Sequence, residues 1–373
     1  MKKFILCVLV FFVAKMGTGQ NSEDWEKLYV GTFTSEGAEG IYLCNFNRKT
    51  GDIRLETTFK AIDDPSFLRL SADKKYMYVA GRSENEIEES GGYIYAYKVE
   101  QNGRISFLNK QVSHGQDPCH VDVSPDGKFV AVANYSGGTT VLFPVGADGK
   151  VQPAATVFQN KGSGPDKSRQ SSPHTHSVKF SPFGNEVFSA DLGTDQLLTF
   201  RLENGKLVQA GQKFAEIPEG SGPRHFDFHP SGKILYVINE LNSTVSVLEK
   251  VDEKWKVIQN IFSLPDDFEG ESYCADVHVS NNGKFLYGSN RGHNSIAVFS
   301  IGENNGMLTF QGTVSTEGNW PRNFVLSPDN QFLLAANQRS GNITVFKINS
   351  ETGFPEFTGK QIQLPAPVCL EFF

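Results

Sequence analysis

No stretch of this sequence gathers lysine and arginine into a run or an aromatic-studded stripe, so the electrostatic footprint of a nucleic-acid-binding protein is missing. The formal net charge of −7 fits an acidic soluble protein with no nucleic-acid partner. Long amphipathic helical patterns are also missing. Methionine occurs four times, against 36 glycines and 30 phenylalanines in 373 residues, a balance that points to short strands and tight turns.

No apolar run is long enough to span a bilayer as a helix. The longest begins at Phe4 and ends at Ala14, follows Lys2-Lys3 and precedes Gly17-Thr18-Gly19. That grammar predicts a signal peptide over residues 1–20, with a retained anchor as the weaker reading. Cys7 lies too early in the run to be a lipid-attachment cysteine. The expected product is an exported protein, periplasmic or secreted, with no stable membrane insertion after cleavage. The remaining cysteines, Cys44, Cys119, Cys274 and Cys369, form neither a zinc-like spacing nor a CxxC pair. An oxidising compartment would permit disulfides. Three of the four fall near the start of repeat strands, where small thiols pack well, so free structural cysteines are expected.

The chain is long enough for two or three domains, but an internal repeat argues for one spanning residues 21–373. Six segments align without a gap: PSFLRLSADKK from Pro65, PCHVDVSPDGK from Pro118, THSVKFSPFGN from Thr175, PRHFDFHPSGK from Pro223, CADVHVSNNGK from Cys274 and PRNFVLSPDNQ from Pro321. Each reads as a strand, a polar turn and the beginning of a second strand. That second strand ends at equivalent pairs: Gly81-Arg82, Asn134-Tyr135, Asp191-Leu192, Asn239-Glu240, Asn290-Arg291 and Asn337-Gln338. A repeat of about 50 residues with four strands is the signature of a β-propeller. The C-terminal PVCLEFF matches a first strand, while LYVGTFT, GIYLCNF and IRLETTF near the start supply a second, third and fourth. A single all-β, seven-bladed propeller of four-stranded blades is predicted, its ring closed by pairing N- and C-terminal strands in one blade. A β-sandwich or two smaller β domains would leave unexplained why one blade's parts stand at opposite ends of the chain.

Positions where the repeats agree serve the fold; positions where one unit carries a charge invite a functional reading. Inner-strand starts and the loops after second strands share one end of the central channel, because antiparallel neighbours meet there. The starts carry Ser66-Phe67, Cys119-His120, His176-Ser177, Arg224-His225, Ala275-Asp276 and Arg322-Asn323; the loops add Arg82, Tyr135, Asp191, Glu240 and Arg291. Each histidine alone is more often a satisfied core residue than a catalyst. Together with the arginines they describe a funnel suited to a small polyhydroxy acid or phosphate, because arginine grips planar anions bidentately. His120, His225, Asn134, Asn290, Arg322 and Asn323 are candidate substrate-binding residues, although the asparagine shared by several units reads mainly as a turn residue. His174 and His293 stand in loops near these motifs, whereas His114, His229 and His278 carry no functional weight. The polar segment from Asn160 to Ser172 reads either as a lid over the mouth or as a solvated linker. Its Gly-x-Gly is too short and misplaced for a phosphate loop.

LYVGTFT with GIYLCNF, SPHTHSVKFSP, GPRHFDFHPSGKILYVINEL and YGSNRGHNSIAVF resemble the propeller-type 6-phosphogluconolactonase family, which also includes the fungal carboxy-cis,cis-muconate cyclase. The resemblance covers essentially the whole chain after the leader. It implies lactone ring opening, with the family's His, Arg, Glu and second Arg falling on His176, Arg224, Glu240 and Arg291. The arginines would hold the substrate's anionic group and polarise the lactone carbonyl, while His176 or Glu240 activates water. No cofactor and no metal are implied. Export sits uneasily with a phosphorylated cytoplasmic lactone and favours an unphosphorylated aldonolactone. The alternatives are a muconate-type cyclase and a non-catalytic binding propeller at the cell envelope.

Overall fold

The computed structural model describes residues 24–60, 62–82 and 91–373, so the expected leader, residues 1–20, lies outside the described residues. Three blades begin from the same local chemistry. In the turn after an inner strand a serine hydroxyl bonds the carboxylate two residues on and accepts the amide five residues on. Ser124, for instance, donates to Asp126 at 2.7 Å and receives Phe129 N–H at 3.0 Å. Ser71 and Ser327 repeat the arrangement. Where Gly127 follows, φ is +70°, a conformation that glycine adopts without a side-chain penalty.

Seven four-stranded antiparallel sheets result. Blade one joins Pro367–Phe372 to Trp25–Thr32, Ile41–Asn47 and Ile53–Phe59, with Val30 opposite Leu370, so the two ends of the chain close the ring in one sheet. The inner strands of blades two to seven are Pro65–Leu70, Pro118–Val123, Thr175–Phe180, Pro223–Phe228, Tyr273–Val279 and Pro321–Leu326. The second strand of blade five is Ile234–Asn239 and that of blade six Phe285–Arg291. Between blades, apolar faces pack together; Phe188, Phe226 and Trp255 fill the seam of blades four and five. Cys44, Cys119, Cys274 and Cys369 are free and buried. The one helical turn among the described residues is Thr34–Glu36, and no described helix is long and apolar enough to cross a membrane.

Two features tie the ring together. First, each inner strand has an edge that no neighbouring strand pairs, and in several blades side chains of the preceding blade cap its amides. Asp122 receives Phe180 N–H at 2.8 Å, Asp227 receives Val279 N–H at 2.9 Å, Asn323 receives Leu370 N–H at 2.7 Å and Glu371 receives Leu70 N–H at 3.1 Å. Arg69 links Glu371 at 3.0 Å with Asp122 at 3.4 Å, and Lys179 meets Asp227 at 3.1 Å. Second, tyrosines on second strands reach the outer turn of the next blade. Tyr29 bonds Gly103 O, Tyr78 Gly149 O, Tyr236 Gly306 O and Tyr287 Gly353 O, at 2.7 to 3.2 Å.

Every inner strand carries one register shift at the same place. Pro223 faces Asn239 and His225 faces Ile238, so Arg224 is an extra residue outside the ladder. Ser66, Cys119, His176 and Arg322 stand out in the same way; blade six places Ala275 and Asp276 within its shift, and blade one sets Thr32 against Pro367 and Gly31 against Cys369, passing over Val368. Such bulges re-aim a side chain at the cost of one ladder position.

The closing blade gives a direct test of the amide caps. Glu371→Ala removes both the Leu70 acceptor and a partner of Arg69 and is expected to lower the unfolding free energy by about 2–3 kcal/mol. Glu371→Gln, which can still accept the amide, should cost about half of that in urea titrations. Equal midpoints for both variants and the parent would remove this cap from the account of ring stability.

Candidate active site

The bulge of blade five delivers Arg224, the end of its second strand delivers Glu240, and the end of the second strand of blade six delivers Arg291. All three are buried, with 1%, 5% and 5% of their surface exposed. Glu240 Oε2 receives Arg224 Nε at 3.0 Å and is ion-paired with Arg291 Nη2 at 2.7 Å, and Oε1 receives Arg169 Nη2 at 2.5 Å. Burial alone would raise the Glu240 carboxyl, but Arg291, Arg224 and Arg169 together hold it far below the ordinary carboxylate range. Arg224 is pulled down to about 10 by burial and by the charge of Arg291, with Glu240 opposing. Backbone carbonyls complete the cluster: Ala275 O for Arg224, and Tyr273 O and Cys274 O at 3.2 and 3.1 Å for Arg291. Glu240 is therefore the hub of a guanidinium cluster whose positive charge exceeds its own negative charge.

Three imidazoles stand beside this hub. His176, on the bulge of blade four, has Nδ1 3.9 Å from Cys119 Sγ and its ring against Tyr135 at 5.3 Å. His120 stacks on Phe67 at 4.1 Å. The His225 ring lies 5.2 Å from His120 and 5.4 Å from His176. His225 Nδ1 is 2.7 Å from Asp276 Oδ1, which makes Nδ1 the protonated nitrogen and leaves Nε2, buried and without a partner, as a lone pair. Asp276 Oδ2 also receives Asn323 Nδ2 at 2.5 Å and lies 3.1 Å from His278 Nε2. Burial is the largest influence on all three imidazoles, aided by neighbouring cations. It holds His120 and His176 well below their ordinary value and His225 at about 4.

The segment between blades three and four is fastened over one side of the mouth. Buried Gln170 donates to Leu192 O at 2.8 Å and Asp195 Oδ1 at 2.9 Å, and Asn160 donates to Asp191 Oδ2 at 2.5 Å. Gly193 lies so close to Ser172 O that a Cβ there would collide with backbone. This polar stretch is largely exposed, as a solvated linker would be, and lies over the mouth, but buried amides hold it in place. It is a strap that places Arg169 on Glu240 and, at 3.3 Å, beside the Tyr135 hydroxyl.

The structure thus brings His176, Arg224, Glu240, Arg291, His120, His225, Arg322 and Asn323 to one end of the channel. It does not bring Asn134 and Asn290 there, which corrects the expectation that they bind substrate. Both are fully buried, and their Nδ2 donors are spent within the blade edges: that of Asn134 on Ser113 O and Thr139 Oγ1, that of Asn290 on Ser263 O and Ser295 Oγ. His278, given no weight from sequence, touches the network through Asp276. Arg169 escaped sequence reasoning because its segment has no counterpart in other repeats; the extra length between blades three and four was the available signal. Among the described residues no group of three His, Cys, Asp or Glu side chains is arranged to hold a metal ion.

With this geometry in view, the family described as "Lactonase, 7-bladed beta-propeller" matches residues 27–372. The chain is 39% identical to the 6-phosphogluconolactonase of Bacillus subtilis over 353 residues, covering 92% of this chain and 97% of the relative. A solved Bacteroides fragilis protein superposes with a TM-score of 0.88 at 35% identity, covering 95% of this chain and 99% of the other. The periplasmic gluconolactonase of Pseudomonas aeruginosa superposes with a TM-score of 0.86 at 30% identity, covering 93% and 99%.

The channel histidines set a pH dependence of stability. In the unfolded chain they titrate near 6.5, whereas in the fold they stay neutral to lower pH. Between pH 6.5 and about 4 the unfolded state binds more protons, so stability falls as the pH falls through that window. Asp122 and Asp191, which burial raises, act in the opposite sense. Melting temperatures measured from pH 7 to 5 should fall by several degrees, ahead of ordinary carboxylate titration; a flat or rising profile would contradict neutral buried imidazoles.

Proposed function

The chain belongs to the seven-bladed β-propeller lactonase family, and from that premise we propose that the channel mouth hydrolyses a sugar-derived lactone. The observation that carries this reading is the Glu240 hub: three guanidiniums fixed on one buried carboxylate, next to a neutral imidazole. Lactone hydrolysis needs cationic donors where the carbonyl oxygen gains charge and a base for the attacking water. Arg224 and Arg291 supply the former, already oriented. Glu240, one of the two candidate bases, has its oxygens occupied by guanidinium N–H groups and its carboxyl held far below neutrality, so its work is to position the arginines. Water activation falls to His176.

In this scheme water oxygen bonds the carbonyl carbon while one water proton passes to His176. The carbonyl π pair moves to oxygen, facing the arginines. When the carbonyl re-forms, the ring C–O bond breaks and the leaving oxygen takes the proton back from the imidazolium, giving a hydroxy acid and a neutral histidine. The substrate is 6-phosphogluconolactone or an unphosphorylated aldonolactone. The leader and the likeness to the Pseudomonas periplasmic gluconolactonase support an exported enzyme acting outside the cytoplasm.

Ring opening corrected for the spontaneous reaction is the test. His176→Ala should lose about 10²–10⁴ in kcat, and Glu240→Gln about 10² with the fold retained by thermal melting. Since His176 is deprotonated well below its ordinary value, kcat/KM should stay level between pH 7 and 6, declining only as the pH drops through the lowered value. Full activity in both variants would move the chemistry away from this mouth.

A further inference from the structure

Arg322 occupies the bulge of blade seven, the same structural position that Arg224 holds in blade five. Their surroundings differ. Arg224, Arg291 and Arg169 all have Glu240, and the first two also hold backbone carbonyls. Among the described residues Arg322 has no hydrogen-bond acceptor and no carboxylate; what it touches is the ring of Phe33, 5.2 Å from its guanidinium carbon. Arg82 lies over the same ring at 5.1 Å. Arg82 Nη1 stands 3.8 Å from the half-exposed Asp117, too far for a hydrogen bond, and its Nε is buried without a partner.

Two guanidiniums flank one phenylalanine with most of their donors unspent, in a mouth that already has an excess of arginine. Burial and then the charges of Arg224, Arg291 and Arg82 hold Arg322 well below the ordinary arginine value, with Glu240, beyond ion-pair reach, opposing. Half-buried cations facing other cations cost stability unless an anion completes them. Arginine's planar fork suits an oxyanion that accepts several N–H groups at once.

We propose that Arg322 and Arg82, astride Phe33, form an anion subsite separate from the Glu240 hub, and that the lactone opened there carries a phosphate or carboxylate group. This rests on the lactonase reading of the mouth. It divides the arginines into two sets: those tethered to Glu240 face the reacting carbonyl, while the untethered pair holds the substrate's charged end and fixes which face of the ring meets His176.

The test compares kcat/KM on 6-phosphogluconolactone, a glucaric acid lactone and uncharged δ-gluconolactone for the parent, Arg322→Met and Arg82→Met, methionine retaining contact with Phe33. The parent should prefer a charged lactone, phosphate or carboxylate being identified by which is preferred. Arg322→Met should shrink the charged-to-neutral ratio by about a hundredfold, mainly through KM, and Arg82→Met by about tenfold. Arg224→Met, by contrast, should depress all three substrates through kcat. A ratio unchanged by either subsite variant would overturn the proposal while leaving the lactonase reading intact. If the parent opened none of the lactones, that reading would fall on its own. The subsite would then be read with inorganic phosphate: saturable thermal stabilisation lost in Arg322→Met supports it, and no stabilisation of the parent overturns it.

Discussion

A propeller's inner strands pair on one side only, and the amides on their other edge must be satisfied inside the protein. Here that constraint is met by side chains of the preceding blade, with Asp122, Asp227, Asn323 and Glu371 each reaching across one seam. Polar and charged residues along the channel are thus a requirement of ring closure before they are a resource for chemistry. Because carboxylates used as caps attract cations, Arg69 and Lys179 follow, and the lower channel becomes a belt of alternating charge. The mouth departs from that belt. There the cations outnumber the anions, and the imidazoles pack on aromatic rings and on one another.

That imbalance separates chemistry from architecture. In the belt each acid serves an amide and a base together, leaving nothing for a ligand. At the mouth a single carboxylate, Glu240, restrains three guanidiniums from three parts of the chain: a blade-five bulge, a blade-six strand end and the strap. Restraint of this kind prepays the ordering of long side chains, so donors face a reacting oxygen without reorganising. The cost is burial together with repulsion among like charges, which lower Arg224 and Arg322 in that order.

Much of this was legible in the sequence, for reasons specific to repeats. The Ser-Pro-Asp-Gly turn announces itself because Ser124 and Asp126 make bonds that few other residues can make. Blade closure could be read because PVCLEFF lacks a second strand of its own. The convergence of inner-strand starts and second-strand ends on one mouth followed from antiparallel pairing, and the family resemblance singled out His176, Arg224, Glu240 and Arg291 among them. Other features had no signal. A bulge present in every blade leaves no gap in an alignment of blades, so the reason Arg224 leaves the ladder was invisible. Arg169 had no repeat partner to be compared with. Asn134 and Asn290 sit next to functional residues in sequence, yet their buried positions turn them into the sheet edge, a difference of side-chain direction that spacing does not encode. Arg224 and Arg322 are the same residue at equivalent positions; only their neighbours distinguish the tethered one from the free one.

The bulge has a consequence for how such a protein can diversify. A residue outside the ladder can change identity without disturbing a backbone pair, and this ring offers the position in five blades: Ser66, Cys119, His176, Arg224 and Arg322 occupy it with four kinds of side chain. In those five blades the scaffold therefore behaves as a turret of interchangeable sockets around a fixed bore. Recognition at the mouth can be rewritten one socket at a time, while the caps below keep the ring closed.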